Sequence, residues 1–263
     1  MKTQQRAGKR SSPTRKDIST DIGLFSTTAG VRTVQSPVRV KILSVLSTRD
    51  LTFDEIVRLS GRAKSTVSVH LRGLEQDGII SARTDPEDER KKIFSLRSHA
   101  LGNLTGGIAA DDGADRAGRL IAGDDPFGFY RYMFRTIRVS LLAEGINIDP
   151  VLRESGNRVG RTVAANLADR KLPVLLERLR LFWRKHNLGT LEIESLAPLT
   201  LRAYDCFECA NLPQLGRPAC AFDSGILDAV FSDHFKKPQQ VDETACYAMG
   251  DDHCRFVIVP TDG

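Results

Sequence analysis

Every cysteine of this 263-residue chain lies between Cys206 and Cys254. They come as Cys206-Phe207-Glu208-Cys209, then Cys220, then Cys246 and Cys254, with Glu243, His234 and His253 among them. Thiols gathered beside a carboxylate can bind a soft divalent metal as thiolates, or exchange two electrons as a thiol–disulfide pair. A Cys-x-x-Cys closes a disulfide within one turn and often lowers a thiol pKa, which makes Cys206 and Cys209 the candidate redox switch. His234 and His253 read as surface histidines. The remaining question is what such a module controls.

Composition narrows the class. An apolar share of 41% and a charged share of 27% are ordinary for a globular chain, and the length suits two domains. No apolar run approaches the roughly 20 residues that span a bilayer, and no apolar stretch follows the basic N-terminus as in a secretory signal. The expected setting is cytoplasmic, where cysteine clusters bind metal or sense redox state more often than they form structural disulfides. A net charge of +5 is compatible with nucleic acid as a partner. Residues 1–20 are expected to form a flexible basic tail, with Lys2, Arg6, Lys9, Arg10, Arg15 and Lys16 and no acid before Asp17.

The elements that would position a nucleic-acid contact come first. After a transitional segment over Leu24 to Val34, Ser36-Pro37 opens a helix, and Ile42, Leu43 and Leu46 lie on its apolar stripe. Thr52 and Glu55 form a capping box for a second helix, with Ile56 and Leu59 expected to point inward. A short turn at Ser60-Gly61-Arg62 leads to a third helix, about Ala63 to Gln76, with Val67, Leu71 and Leu74 at core spacing. Its other face carries Lys64, Ser65, Thr66, Ser68, His70 and Arg72 with no acid before Glu75, the composition of a helix that reads base edges and phosphates. Two strands, Ile79 to Arg83 and Arg90 to Leu96, complete a winged helix-turn-helix over residues 21–98. Arg83, Arg90, Lys91 and Lys92 on the wing are the expected phosphate or minor-groove contacts. Ser65-Thr66-Val67-Ser68, His70-Leu71, Leu74-Glu75 and Gly78-Ile79-Ile80 resemble the ArsR-type repressor signature. Many such repressors carry metal-binding cysteines in this domain; here there are none, so the sensor must lie elsewhere.

Residues 99–125, rich in Gly, Ala and Asp, read as a linker to a second domain over 126–263. That domain opens with Met133, Phe134, Ile137 and Leu141 at helical spacing, a core-facing or dimer-facing helix. Helices from Asp149 (with Val151, Leu152, Val159, Val163 and Leu167 as its stripe) and from Pro173 follow. Strands over 190–196 and 199–205, an amphipathic helix over 222–235, and a hairpin over 239–248 and 254–259 complete it. The fold class is α+β: an N-terminal winged helix-turn-helix plus a C-terminal mixed α/β domain with an antiparallel sheet. One all-thiolate metal set, Cys206, Cys209, Cys246 and Cys254, would suit zinc.

Cys220-Ala221-Phe222-Asp223-Ser224-Gly225-Ile226-Leu227, Glu243, Cys246, Gly250-Asp251, Cys254 and Phe256 resemble the vinyl-4-reductase domain. In its aromatic-sensing members a structural zinc is held by a Cys, a Glu and two further Cys. The resemblance therefore implies Cys220, Glu243, Cys246 and Cys254 as ligands, a closed set with no position for water, and it leaves Cys206 and Cys209 free. A winged helix followed by this module is similar to the methanogen-specific MsvR-type regulators. That resemblance implies an archaeal homodimer on double-stranded operator DNA that responds to thiol oxidation; the aromatic-sensing relatives imply, as an alternative, a small apolar ligand. No nucleotide-binding glycine loop or acid–base constellation points to an enzyme.

Overall fold

The computed structural model describes residues 22–47, 49–105, 107 and 126–261. The basic tail and most of the expected linker lie outside the described residues. Three antiparallel sheets and seven α-helices are present among them.

The first half is a winged helix. Helix α1 (Pro37–Leu46) has Ser36 as N-cap and Pro37 in its first turn. In α2 (Phe53–Ser60), Thr52 and Glu55 form the reciprocal capping box, and Gly61 ends the helix at φ 65°, a conformation that costs glycine little. Helix α3 (Lys64–Gln76) buries Val67, Leu71 and Leu74 against Ile42, Leu43, Leu46 and Ile56. Leu59 departs from expectation: it is exposed, and Ser60, four residues after Ile56 on the same face, is buried. A small sheet closes the domain, with β3 (Leu51–Thr52) and β4 (Ile80–Thr84) on either side of β5 (Lys92–Leu96).

Leu24 to Val34 is more than a transition. Strands β1 (Ile22–Thr27) and β2 (Gly30–Val34) form a hairpin turned at Gly30, φ 99°. Strand β6 (His99–Leu104), at the start of the expected linker, pairs with β1 on one side and with β7 (Ile146–Asn147) on the other. Glycine makes that join possible: a Cβ at Gly102 would strike the carbonyl of Asn147. The sheet therefore ties the winged helix to the second half.

The second half is built around α7 (Ala221–Phe235). It is buried on nearly every side rather than amphipathic, with Asp223 through Phe231 all inside. One side faces a four-stranded sheet in the order β10 (Gln239–Ala245), β11 (Cys254–Pro260), β9 (Leu199–Tyr204), β8 (Thr190–Leu196). The other side meets α5 (Asp149–Leu167) at backbone contact. A side chain at Gly156 would overlap the Phe222 carbonyl, one at Gly160 would meet Ile226 and Ala229, and one at Gly225 would overlap the Arg153 carbonyl. Of the expected stripe, Leu152, Val163 and Leu167 are buried, while Val151 and Val159 are exposed and Gly156 and Gly160 stand on the buried face instead. Helix α6 (Leu172–Lys185) packs beside β8 through Leu175, Leu176, Leu179 and Trp183.

Helix α4 (Gly128–Ala143) inverts its expected orientation in part. It buries Arg135 and Arg138 with Val139 and Leu142, and turns Phe129, Tyr130, Met133 and Ile137 to the exterior. Arg135 donates to the Asn211 carbonyl at 2.5 Å, and Arg138 lies between Asp149 at 2.8 Å and Glu208 at 3.2 Å. Those acceptors lie outside the helix, Glu208 and Asn211 far along the chain, so local periodicity carries no trace of them.

Candidate metal centre and nucleic-acid interface

The five thiols meet at the N-terminus of α7. Strand β9 ends at Tyr204 and delivers Cys206 and Cys209; Cys220 is the N-cap of α7; Cys246 follows β10, and Cys254 opens β11. All five are free and fully buried. Cys206 Sγ lies 3.5 Å from Cys220 Sγ, Cys209 Sγ 3.1 Å from Cys254 Sγ, and Cys220 Sγ 3.5 Å from Cys254 Sγ and 3.9 Å from Cys246 Sγ. Both thiols of the Cys-x-x-Cys therefore contact thiols outside their own motif.

Two carboxylates hold this arrangement. Glu243 Oε2 accepts the Cys220 N–H at 2.8 Å, while its Oε1 is buried with no hydrogen-bond partner. Burial and the neighbouring Cys246 push its pKa up to about 9. A carboxylate with one oxygen engaged and one buried oxygen unused beside thiols is a group prepared for a cation. Glu208, inside the Cys-x-x-Cys, accepts from the Phe222 and Asp223 N–H groups, each at 3.1 Å, and from Arg138. It thereby caps the first turn of α7 from outside the helix, where the N–H groups have no partner of their own and negative charge is favoured. Burial pushes Glu208 up to about 8 against the pull of Arg138. Donors thus meet Glu208 on one side, while the Asp223 carboxyl and the Cys220 thiol lie within 4.8 Å of it on the other. Asp223, 3.4 Å from Cys206 Sγ, is raised by burial and by that thiol.

Five thiols in one apolar envelope cannot all ionise together without a cation. Hydrogen bonds from Cys209 and other neighbours draw the pKa of Cys206 and Cys246 down. Burial pushes Cys220 up, and the bonds that Cys209 and Cys254 make to Cys206 raise both of them. Two quartets bring four ligand atoms within 4.8 Å of one another: Cys206, Cys209, Cys220 and Cys254, and Cys220, Glu243, Cys246 and Cys254. The second is the set implied by resemblance. The competing all-thiolate set is not among these quartets; the all-thiolate quartet has Cys220 where that set had Cys246. A third grouping, Glu208, Cys220 and Asp223, has its Glu208 oxygens already occupied by backbone N–H groups and a guanidinium.

In the winged helix the expected contact residues share the surface. Lys64, Ser65 and Arg72 are exposed on α3, and Thr66, Ser68 and His70 are partly so. Ala63 supplies no side-chain cap, so the first turn of α3 keeps its N–H groups uncapped. Arg83, Arg90, Lys91 and Lys92 are exposed, with Arg83 3.4 Å from Asp50 and Arg90 3.2 Å from Asp88.

Comparison with known proteins decides the family. Residues 199–260 match the vinyl-4-reductase domain model, and residues 36–82 match that of the bacterial regulatory protein arsR family. The uncharacterized protein MJ1642 of Methanocaldococcus jannaschii is 30% identical over 126 residues, 48% of this chain and 74% of that protein. The chain belongs to the vinyl-4-reductase-domain family and carries an ArsR-type helix-turn-helix. A second relative from the same organism, MJ0150, is 27% identical over 128 residues, covering 48% of this chain and 73% of its own. Among solved structures, a vinyl-4-reductase family protein of M. jannaschii aligns with a TM-score of 0.38 at 18% identity, over 57% of this chain and 92% of the other. The phenol-responsive sensory domain of the transcription activator PoxR, with phenol, aligns with a TM-score of 0.37 at 14% identity, over 74% and 90%.

This vinyl-4-reductase-domain regulator thus combines an ArsR-type DNA-binding domain with a buried cysteine cluster. Its C-terminal module draws Cys206 and Cys209 into that cluster rather than leaving them apart. His234 and His253 join neither quartet; His253 pairs with Asp252 at 2.6 Å. Sequence reasoning missed Glu208 and Arg138. The signal for Glu208 was its place inside the Cys-x-x-Cys, whereas Arg138 left none. No described helix is long and apolar enough to cross a membrane. A cleft of about 1020 Å³ runs between the two halves, from Ser47, Ser98 and His99 to Cys220, Asp228 and Glu243.

Proposed function

We propose that this protein is a redox-responsive transcription regulator that binds double-stranded operator DNA as a homodimer. The observation that carries the reading is the burial of five free thiols in contact with one another at the cap of a central helix. Lys64, Ser65, Thr66, Ser68, His70 and Arg72 enter the major groove, and the uncapped first turn of α3 accepts a backbone phosphate. Arg83, Arg90, Lys91 and Lys92 meet flanking phosphates. Cys220, Glu243, Cys246 and Cys254 hold a structural zinc, which ties the β10–β11 hairpin to the start of α7; the unpartnered Glu243 Oε1 supports that set.

Cys206 and Cys209 are the switch. Their oxidation to a disulfide surrenders two electrons and two protons to a thiol oxidant, for example a diazene that becomes a hydrazine. A sulfur–sulfur bond of about 2.05 Å requires the two free thiols to close on each other, and Glu208 lies between them in the chain. Displacing Glu208 uncaps α7 and strands Arg138, whose other partner, Asp149, begins α5 directly after β7. Strand β7 pairs with β6, which leads back into the winged helix. The outer face of α4 is the dimer contact in this reading. The partner is a second copy because paired half-sites multiply affinity.

The test uses duplex DNA selected from a random pool by the reduced protein. Diamide treatment is expected to weaken binding at least tenfold, and the Cys206→Ser/Cys209→Ser variant to bind equally with and without diamide. Unchanged affinity of oxidised wild-type protein would sink the proposal.

A further inference from the structure

The cluster offers more ligands than one tetrahedral ion can use. Its donors are the Sγ atoms of Cys206, Cys209, Cys220, Cys246 and Cys254 and a carboxylate oxygen of Glu243. They fall into two quartets, and Cys220 and Cys254 belong to both. Two tetrahedra that share an edge need two bridging ligands and a terminal pair on each ion, which matches this inventory. The distances suit it too. Sulfurs bound at about 2.3 Å to one tetrahedral zinc lie roughly 3.8 Å apart. Here Cys206–Cys220 and Cys220–Cys254 are 3.5 Å, and Cys220–Cys246 is 3.9 Å; Cys209–Cys254, at 3.1 Å, would have to open slightly.

We propose that the cluster is a binuclear site for two divalent ions of the zinc class. Cys220 and Cys254 bridge; Cys206 and Cys209 complete one ion, and Glu243 and Cys246 complete the other. Charge does not oppose this. Five thiolates and one carboxylate bring six negative charges and two ions return four, leaving the same residual of two as one ion among four anionic donors. The second ion therefore adds no unbalanced charge to the interior. Soft thiolates select zinc-class ions over magnesium or calcium. The inference rests on the reading above only in taking the Glu243 quartet as a zinc seat. It adds a second seat whose terminal ligands are the proposed switch.

The experiment is zinc per chain on full-length protein purified anaerobically with reductant, together with cobalt(II) titration of the metal-free protein followed by its thiolate charge-transfer absorption. Two zinc per chain are expected, with the cobalt absorption rising to two equivalents. Cys206→Ser/Cys209→Ser is expected to retain one zinc with an unchanged far-ultraviolet circular dichroism spectrum. One zinc in both wild type and variant, a cobalt titration complete at one equivalent, or no zinc in either would overturn the proposal. Operator binding separates the two readings. Two zinc with oxidant-indifferent DNA binding leaves the binuclear site standing and removes the switch, whereas one zinc with oxidant-sensitive binding does the reverse.

Discussion

Arg138 shows how much can depend on one side chain outside both ligand quartets. Its side chain is 2% exposed and is held by Asp149 and Glu208, whose side chains are 20% and 2% exposed. Burial alone would lower its pKa, but the two carboxylates outweigh that and raise it. Replacing both members of such a pair by apolar groups can be neutral, but removing one leaves a buried charge with no counterpart. Arg138→Ala is therefore expected to cost about 3–5 kcal/mol, read as a lower urea midpoint with little change in slope. A loss below about 1 kcal/mol would mean that Glu208 is held by the α7 amides alone. Glu208 is the only acid between Cys206 and Cys209, so the same residue spaces the thiols and caps the helix.

At the scale of elements, the crossing of α5 over α7 sets the geometry of the metal centre, because Cys220 rides on the end of α7. Gly156, Gly160 and Gly225 allow backbone-to-backbone contact, and Arg153 then reaches Asp228 through two bonds of 2.8 and 2.9 Å. Asp228 also accepts the Val241 N–H at 2.7 Å, which fixes β10, and with it Glu243, to the helix. A methyl group at Gly225 has only main-chain atoms of α5 to push against. Gly225→Ala should destabilise the C-terminal module by roughly 1–3 kcal/mol, the usual cost of overpacking. The matching check is metal content, since separation of the helices would also loosen the Cys220 quartet. A variant as stable as wild type would show that the crossing has slack.

For the whole molecule, the feature that asks for a partner is the outer face of α4. Phe129, Tyr130, Met133 and Ile137 are 59%, 56%, 44% and 53% exposed, on one side of one helix. Other helices expose apolar side chains more sparsely, such as Val69 on α3 and Leu181 on α6, whereas four large ones gathered on one face mark a contact surface. In the homodimer proposed above, Met133→Glu/Ile137→Glu should shift the protein from dimer to monomer in sedimentation velocity. Selected-operator binding should weaken by tenfold or more through loss of the paired half-site, while α3 and the thiol cluster are untouched. A variant that remains dimeric would place the interface elsewhere.

Much of the winged helix could be read directly from the chain. Ser36-Pro37, the Thr52/Glu55 box, Gly61 and the 3.6-residue spacing of Val67, Leu71 and Leu74 act within a turn or two, so local order carries them. The residue types able to bind a soft metal were equally visible, because only thiols and carboxylates offer that chemistry. What sequence could not decide is which donors meet. That depends on where the end of β9, the cap of α7 and the β10–β11 hairpin come together, and it moved Cys220 into the all-thiolate quartet. Tertiary structure also decided that α4 buries its arginines, since Glu208 and Asn211 reach them from far along the chain and Asp149 from the start of the next helix. Local periodicity records which side chains are apolar. It does not record where a buried charge will find its counter-charge, and that pairing determines which face of α4 turns inward.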